Sequence, residues 1–216
     1  MLSELKSKIQ KLKKIDGGSF FREPQYKIFG SSEHRYKFNR CLSQNEIEKF
    51  ERTNKIRLPF EYKEFISKIG DGGCGPAYGL YPLSLWNFEL DINEPDFLST
   101  EFLYTESWKK IKNFEEEGDY FDTAEFQEWE QENFSNKHIT GSLRICHYGC
   151  AIYYLLIVSG KEAGNIWVDD RANDNGIYPA TSKSSAERLT FFQWYDEWLT
   201  ESIDQLNNQH ISETQQ

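Results

Sequence analysis

Residues 70 to 75 have the glycine spacing of a dinucleotide-binding loop, with glycine at the first, third and sixth positions. In such a loop a strand precedes the glycines and a helix follows them, because the helix N-terminus must meet the pyrophosphate. Here a helical apolar pattern comes first, and Pro76 and a strand-like run come after. The glycines therefore predict the end of a helix and a turn rather than a phosphate-binding site.

Glu61 and Lys63 have the spacing of the carboxylate–lysine half of a metal-dependent nuclease motif. That motif requires a strand, in which residues two apart share a face. The apolar residues around this pair recur with the helical period, and on a helix the two side chains diverge by about 200°. We therefore expect Glu61 and Lys63 to be solvated charges on a helix.

Cys146, His147 and Cys150 form the densest group of residue types that bind metals. Zinc sites usually show a second pair of ligands, which the sequence lacks. The irregular spacing of the four cysteines favours reduced thiols in a cytoplasmic protein. No histidine has the spacing of a catalytic triad or a metal-binding face. The sequence thus predicts no catalytic residue, no metal site and no cofactor, and hence a protein that is not an enzyme.

Asp169 and Asp170 follow a strand-like run and are the best candidates for a small polar site. Two adjacent carboxylates can bind a cation or an arginine of a partner. Aspartates are also typical of the turn that ends a strand. The sequence leaves both interpretations open.

Five runs of the chain have strand character: residues 77–83, 143–148, 151–158, 164–168 and, more weakly, 177–181. The third run lacks alternation, which predicts a central strand covered on both sides or on its more buried half. It is also the longest apolar run, at eight residues, far short of a membrane span. No signal peptide is visible at the N-terminus.

The helices expected around this sheet have recognisable starts. A basic amphipathic helix covers residues 1–15. Ser43 and Glu46 have capping-box spacing and predict a helix that ends near Thr53. Pro59 suits the first turn of the next helix.

A second capping box is expected to open the last helix. Ser184 and Glu187 have the required spacing, and apolar residues continue along one side of the helix as far as residue 206. The polar tail after it, residues 207–216, is expected to fray.

The net charge of −10 is concentrated in one block of the chain. Residues 86 to 135 contain 15 acidic and 3 basic side chains, a local charge of −12, whereas the remainder has 20 acidic and 22 basic side chains. Phosphate contacts need lysine and arginine, so this block argues against nucleic acid and favours a basic protein partner. Two amphipathic segments, around Phe102–Phe114 and from Asp122 onwards, predict a helical insertion.

Three groups of residues in a fixed order resemble a known superfamily. The groups are Leu58-Pro59 with Gly72-Gly73 and Gly79-Leu80-Tyr81; Gly149-Cys150 with Gly160, Gly164, Ile166 and Trp167; and Phe191, Trp194 and Tyr195. Together they resemble the SUKH superfamily, which includes fungal cell-wall-synthesis regulators and many bacterial immunity proteins. The expected fold is α+β: one domain with a twisted, mostly antiparallel sheet of five or six strands packed by helices. We expect an N-terminal extension (1–40), a SUKH-like domain (41–206) with the acidic insertion at 86–135, and the polar tail.

The resemblance implies an immunity protein that neutralises a bacterial toxin by binding it, without touching a membrane or nucleic acid. A nuclease-type toxin has a basic substrate cleft, which the acidic block would complement. The alternative is a regulatory interaction scaffold like the fungal proteins. The residues predicted to contact the partner are Trp108, Glu115, Glu116, Glu117, Asp119, Tyr120, Asp122, Glu125, Trp129, Asp169 and Asp170. The sequence leaves the oligomeric state open.

Overall fold

The structure, a computed structural model, describes residues 1–18, 22–92, 94–114 and 119–214, with side chains as far as residue 209. Its α-helices are α1 (Leu2–Asp16), α2 (Ser31–His34), α3 (Gln44–Asn54), α4 (Phe60–Lys68), α5 (Ala124–Asn133) and α6 (Phe191–Thr214). Its strands are β1 (Ser142–Gly149), β2 (Ile152–Ile157), β3 (Ile166–Asp170) and β4 (Gly176–Pro179). Short 3-10 turns lie at Leu83–Leu85, Tyr120–Asp122, Asn136–Ile139 and Arg171–Asn173.

The four strands form one antiparallel sheet in the order β1-β2-β3-β4. The fold is thus α+β, as expected, but the described residues contain four strands and not five or six. The missing strand is the run 77–83. Ala77 and Gly79 have φ of 48° and 98°, which is left-handed backbone that breaks an extended chain. Only Leu80 pairs there, through isolated bridges to Gly73 and Cys146.

Both faces of the sheet are covered. Tyr154 pairs with Val168, which pairs with Tyr178, so all three share one face. Helix α6 lies on this face, with the Trp194 ring 5.0 Å from the Tyr154 ring. Trp167 points to the opposite face, where Phe102 of the acidic block packs edge-on against it at 4.9 Å. This arrangement explains why β2 lacks alternation, as expected for a central strand.

The first capping box is confirmed. The Glu46 N–H donates to Ser43 Oγ at the start of α3, and the Ser43 N–H donates to Glu46 Oε2 at 2.9 Å. Both partners lie within one helical turn, so this cap depends on local sequence alone.

The second capping box is wrong. Helix α6 begins at Phe191, and residues 184–189 form a turn followed by a return in which Arg188 bridges to Thr181. Leu189 accepts a hydrogen bond from the Ile166 N–H and donates one to the Ala180 carbonyl, both at 2.9 Å, which prevents a helix here. Thr190 and Gln193 cap α6 instead, since the Thr190 N–H donates to Gln193 Oε1 at 2.9 Å. The helix continues to Thr214, through most of the tail that was expected to fray.

The N-terminal helix is integral to the core. Leu5, Ile9 and Leu12 are buried, and Lys8 Nζ forms a 2.7 Å ion pair with Asp196 of α6. The fully buried Asp16 at its end accepts hydrogen bonds from the Lys27 N–H and the Tyr36 hydroxyl. The extension is thus anchored to the domain by both apolar packing and hydrogen bonds.

The acidic block is helical only in its second half. The segment up to Phe114, expected as a helix, is irregular, and Trp108 exchanges two backbone hydrogen bonds with Ile177 of β4. Pairing with a strand edge overrides the amphipathic pattern. The second segment is helix α5, which Thr123 caps by accepting from the Phe126 N–H, one residue later than the predicted start at Asp122. None of the described helices has the length and apolar character that a bilayer crossing requires.

Tyr195 connects α6 to the glycine turn after α4, which yields a testable prediction. Its fully buried hydroxyl donates to the Cys74 carbonyl at 2.8 Å. Tyr195→Phe removes this bond and is expected to lower the free energy of unfolding by about 1–2 kcal/mol, measured by urea denaturation. Tyr148→Phe is the control, because Tyr148 is 45% exposed and should change stability by less than about 0.5 kcal/mol. Equal stabilities of the two variants would contradict the prediction.

Candidate functional site

Helix α5 and the turn before it carry a set of exposed carboxylates, which we call the acidic surface: Asp119, Asp122, Glu125, Glu128 and Glu130. Within the described part of the chain, none of these five forms an ion pair. Glu132, at the end of α5, differs because Lys137 lies 2.7 Å from its carboxylate and lowers its pKa. Glu115, Glu116 and Glu117, predicted to contact the partner, lie outside the described residues.

An aromatic cluster supports the acidic surface. Phe114 lies 5.5 to 5.8 Å from the rings of Tyr120, Phe126 and Trp129, and Phe121 stacks on Tyr120 at 4.1 Å. The exposed fraction of the rings increases across the cluster, from 6% for Trp129 to 60% for Phe121. Two of the three aromatic residues predicted to contact the partner lie in this cluster. Tyr120 is half-buried, and Trp129 belongs to the local core. Phe121 is the most exposed ring of the cluster.

Trp108, the third predicted aromatic contact, is half-buried on the far side of the block. Its ring stacks on His138 at 3.9 Å. Because His138 Nε2 faces the Glu132 carbonyl at 2.8 Å, that nitrogen carries the proton, and Nδ1 accepts from the Tyr104 hydroxyl. Burial lowers the pKa of His138 and keeps this neutral form. Trp108 therefore belongs to a packed stack that supports the block.

Asp169 lies inside the protein, 4% exposed, and faces Arg171. The pair is bidentate, with Arg171 Nε 2.7 Å from Asp169 Oδ1 and Arg171 NH2 2.8 Å from Oδ2. Arg171 NH1 also donates to the carbonyls of Asn133 and Ser135, at 2.9 and 3.0 Å. Asn133 is the last residue of α5 and Ser135 follows it by two residues, so Arg171 fastens the acidic helix to the sheet. The geometry leaves no free Asp169 oxygen on the surface for a partner's arginine or a cation.

Asp170 is equally buried and organises the turn between β3 and β4. Its carboxylate accepts from the side-chain amides of Asn173 and Asn175, at 2.7 and 2.8 Å, and from the Tyr178 hydroxyl at 3.3 Å. Burial and this carboxylate together raise the pKa of Tyr178 to about 12. Of the two open interpretations, the geometry supports the Asp-rich turn.

The remaining chemically suggestive residues have structural contacts. Glu61 Oε2 accepts from the Phe192 N–H at 2.9 Å and so caps helix α6, while Lys63 pairs with the buried Glu51 at 3.2 Å. The Cys146 thiol is buried and donates to the Pro76 carbonyl at 3.2 Å, and Cys150 lies at the exposed β1–β2 turn.

Two cavities open on opposite faces of the sheet. The larger, about 600 Å³, lies against α6 and is lined by aromatic residues that include Tyr154, Trp194 and Trp198. The smaller, about 320 Å³, lies on the face covered by the acidic block and includes Arg144 and Tyr153 among its lining residues.

A sequence model of the SMI1/KNR4 family (SUKH-1) matches residues 41–190. The match covers more than half of the chain. This protein belongs to the SMI1/KNR4 family. No curated protein and no solved structure matched the chain.

The region matched to the SMI1/KNR4 family contains α3, α4, the whole sheet and the acidic block. Helices α1 and α6 lie outside it, although α6 closes one face of the sheet. The matched region includes Asp169 and Arg171, and hence the ion pair that fastens the acidic helix. Sequence reasoning placed Arg171 at the same strand end as the two aspartates but assigned it no role; the available signal was its position two residues after Asp169.

The Asp169–Arg171 pair yields the second prediction. Asp169→Asn keeps the shape but leaves Arg171 buried without a counter-charge, so the free energy of unfolding should fall by about 3–5 kcal/mol in urea denaturation. Amide hydrogen exchange in α5 should accelerate more than exchange in β2, because Arg171 holds the end of α5.

Asp119→Asn is the matched control for this variant. Asp119 is exposed and carries no ion pair among the described residues, so stability should change by less than about 0.5 kcal/mol. Similar stabilities for the two variants, or uniform acceleration of exchange, would refute the fastening role.

Proposed function

We propose that this member of the SMI1/KNR4 family is a bacterial immunity protein that binds a basic toxin domain and blocks it by contact. The observation that carries the proposal is the acidic surface, a group of exposed carboxylates that form no ion pair among the described residues and lie around a partly exposed aromatic cluster. Family membership is compatible with this function and with a regulatory one, so the argument rests on the physics of the surface.

Electrostatics favours a basic partner. The local charge of −12 in residues 86–135 produces a one-signed field, and carboxylates without internal ion pairs contribute fully to it. Such a field raises the association rate with an oppositely charged cleft and repels acidic competitors. The cleft of a nuclease-type toxin carries lysine and arginine to hold phosphates, so it fits this surface.

The aromatic cluster supplies the short-range part of the contact. Interface energy concentrates in a few aromatic or arginine anchors that lose their water on binding. Phe121 and Tyr120 are accessible enough to act in this way, whereas Trp129 and Phe126 support them from below. A guanidinium of the partner can stack on such a ring and meet Asp122 or Glu125 at its edge.

The surface is also held in place before binding. Arg171 fixes the end of α5, Thr123 caps its start, and Lys112 bridges the block to the β3–β4 turn through a 2.6 Å ion pair with Asp174. Pre-organisation reduces the conformational entropy lost on binding and so favours tight association.

This proposal includes a cytoplasmic location and the absence of catalysis. Glu61, Lys63, Asp169 and Asp170 have structural partners, and inhibition by contact requires no reactive group. Robust turnover by the purified protein would contradict the non-catalytic part.

The aromatic groove against α6 favours a second candidate, a regulatory scaffold that binds a peptide segment of a partner. A cleft of about 600 Å³ lined by tryptophan and tyrosine is typical of ligand and peptide sites. The two candidates differ in which face of the sheet matters. Loss of partner binding after Trp198→Ala, with none after changes in the acidic surface, would select the scaffold.

The third prediction tests the acidic surface. Reversing Asp119, Asp122, Glu125 and Glu128 to lysine changes the block from −12 to about −4. Association with the cognate toxin domain should slow by at least about tenfold at low salt and lose most of its salt dependence, measured by stopped-flow fluorescence. Co-expression of this variant should no longer protect cells from the toxin.

A second reversal with the same total charge change is the control. Glu4, Glu33, Glu187 and Asp204 are exposed and lie outside the block, so reversing them should leave association nearly unchanged. Equal slowing by both variants would show that only net charge matters. A wild-type chain that neither binds the toxin domain nor protects cells would overturn the proposed function.

A further inference from the structure

The larger cavity, about 600 Å³, is an aromatic groove between helix α6 and the face of the sheet that carries Tyr154. The wall formed by α6 contains the same short pattern twice, a tryptophan followed three residues later by a glutamate: first Trp194 and Glu197, then Trp198 and Glu201. Residues three or four apart on a helix are neighbours, with about 5–6 Å between their Cβ atoms. Each of these indoles therefore has a carboxylate beside it, one turn along the same helix face.

The charged side chains that line the groove are Lys183, Glu197 and Glu201. Lys183 Nζ lies 2.7 Å from Glu201 Oε1, so these two charges neutralise each other. Glu197 is half-buried and has neither an ion pair nor a hydrogen bond among the described residues. The groove therefore keeps one negative charge next to its tryptophans, and this charge favours a cationic group.

The opposite wall of the groove contributes the hydroxyl of Tyr154. This residue is half-buried, its ring lies 5.0 Å from the Trp194 ring, and its hydroxyl forms no hydrogen bond within the described part of the chain. Burial raises the pKa of this hydroxyl, and Tyr148 and Glu201 are among the nearby groups that raise it further, so it stays protonated. A neutral hydroxyl that can accept as well as donate thus lines the groove together with Glu197.

The groove continues onto the surface as a patch of exposed aromatic rings. Phe29 and Tyr148 belong to its lining and are 53% and 45% exposed. The Phe29 ring lies 5.4 Å from the Tyr148 ring and 5.4 Å from the ring of Tyr78, which is 43% exposed. Contiguous exposed aromatic surface is typical of protein interaction sites. An occupant of the groove can therefore extend across these rings, as a segment of a partner protein does.

We propose that the aromatic groove binds an arginine side chain carried by an extended segment of a protein partner. A guanidinium is planar, stacks on aromatic rings and carries five N–H donors, which suits a site that combines tryptophans with a carboxylate and a hydroxyl. Glu197 supplies the counter-charge, and the Tyr154 hydroxyl accepts from a further donor. An anionic group is repelled by Glu197, and an apolar group leaves that half-buried carboxylate without a counter-charge. The exposed rings of Phe29 and Tyr148 contact the neighbouring residues of the segment.

This site is independent of the proposed immunity function, because the groove and the acidic block lie on opposite faces of the sheet. It rests instead on the groove that the scaffold candidate uses, and it adds the chemistry of the bound segment. Arginine binding in the groove and salt-dependent association through the acidic surface are measured separately, so either can fail without the other.

The test is a titration of the full-length protein with the tripeptide Ac-Gly-Arg-Gly-NH2, followed by NMR of the tryptophan indole Nε–H signals. Trp198→Phe identifies the Trp198 signal, and the signal of Trp129, in the acidic block, is the internal reference. The arginine peptide should shift the Trp198 signal saturably, with a dissociation constant in the low millimolar range or below. It should leave the Trp129 signal unchanged.

Three related ligands define the group that the groove recognises. In Ac-Gly-Cit-Gly-NH2 citrulline keeps the shape of arginine without its charge, so binding should weaken by at least about tenfold. Ac-Gly-Lys-Gly-NH2 keeps the charge without the planar group and should bind about threefold more weakly. Methylguanidinium keeps the charged group without the segment and should also bind at least about threefold more weakly, because it cannot reach the exposed rings.

Glu197→Gln tests the counter-charge in a variant that keeps the shape of the side chain. Binding of the arginine peptide should weaken by about three- to tenfold, and binding of the citrulline peptide should change little. Asp204→Asn is the matched control, because it removes the same charge from the same helix. Asp204 is exposed and does not line the groove, so neither value should change.

Several results would overturn the inference. If the Trp198 signal shows no saturable shift with the arginine peptide into the tens of millimolar, the groove holds no arginine. Equal binding of the citrulline or lysine peptide, or arginine binding that is unaffected by Glu197→Gln, would exclude recognition of a guanidinium by this carboxylate. Methylguanidinium binding as tightly as the arginine peptide would identify a small-cation site instead of a docking site for a partner segment.

Discussion

The ion pair between Asp169 and Arg171 is the interaction on which the arrangement of the acidic block depends. Removing a carboxylate and a guanidinium from water is unfavourable, and only a bidentate pair with its remaining donors satisfied offsets that loss. Here the remaining Arg171 donors reach the two carbonyls at the end of α5. Helix α5 buries only Trp129 and Asn133, so apolar packing alone fixes it weakly. The pair therefore connects the rigid sheet to a helix that is otherwise mostly solvated.

This connection separates the carboxylates of the chain into two classes. Those at the sheet, Asp169 and Asp170, have internal partners and determine the position of α5 and of the β3–β4 turn. Those of the acidic surface form no ion pair within the described residues, and their charge is available to another molecule.

The two faces of the sheet are closed by different parts of the chain. Helix α6, outside the region matched to the SMI1/KNR4 family, covers the face of Tyr154 and Val168. The acidic block covers the face of Trp167. Each cover leaves one cavity, an aromatic groove beside α6 and a charged cavity around Arg144. Changes in the two covers can thus alter what each face binds while the four-stranded sheet is retained.

Local hydrogen bonding and apolar period were sufficient to predict α1, the start of α3 and the central position of β2 from sequence. The ordered motifs indicated the family, and the charge count located the acidic block. Hydrogen bonds and contacts between residues far apart in the sequence decided the remaining elements. Residues 184–189 satisfy a capping pattern, but Leu189 forms hydrogen bonds with Ile166 and Ala180 instead. Trp108 pairs with Ile177, and the chain between residues 77 and 83 turns at Gly79. The ion pair between Asp169 and Arg171 was equally invisible, because a carboxylate or guanidinium acquires its partner from the charges that the fold brings to it. Sequence determined which segments can form helices and strands, and tertiary structure decided which partner each backbone and each charge finally meets.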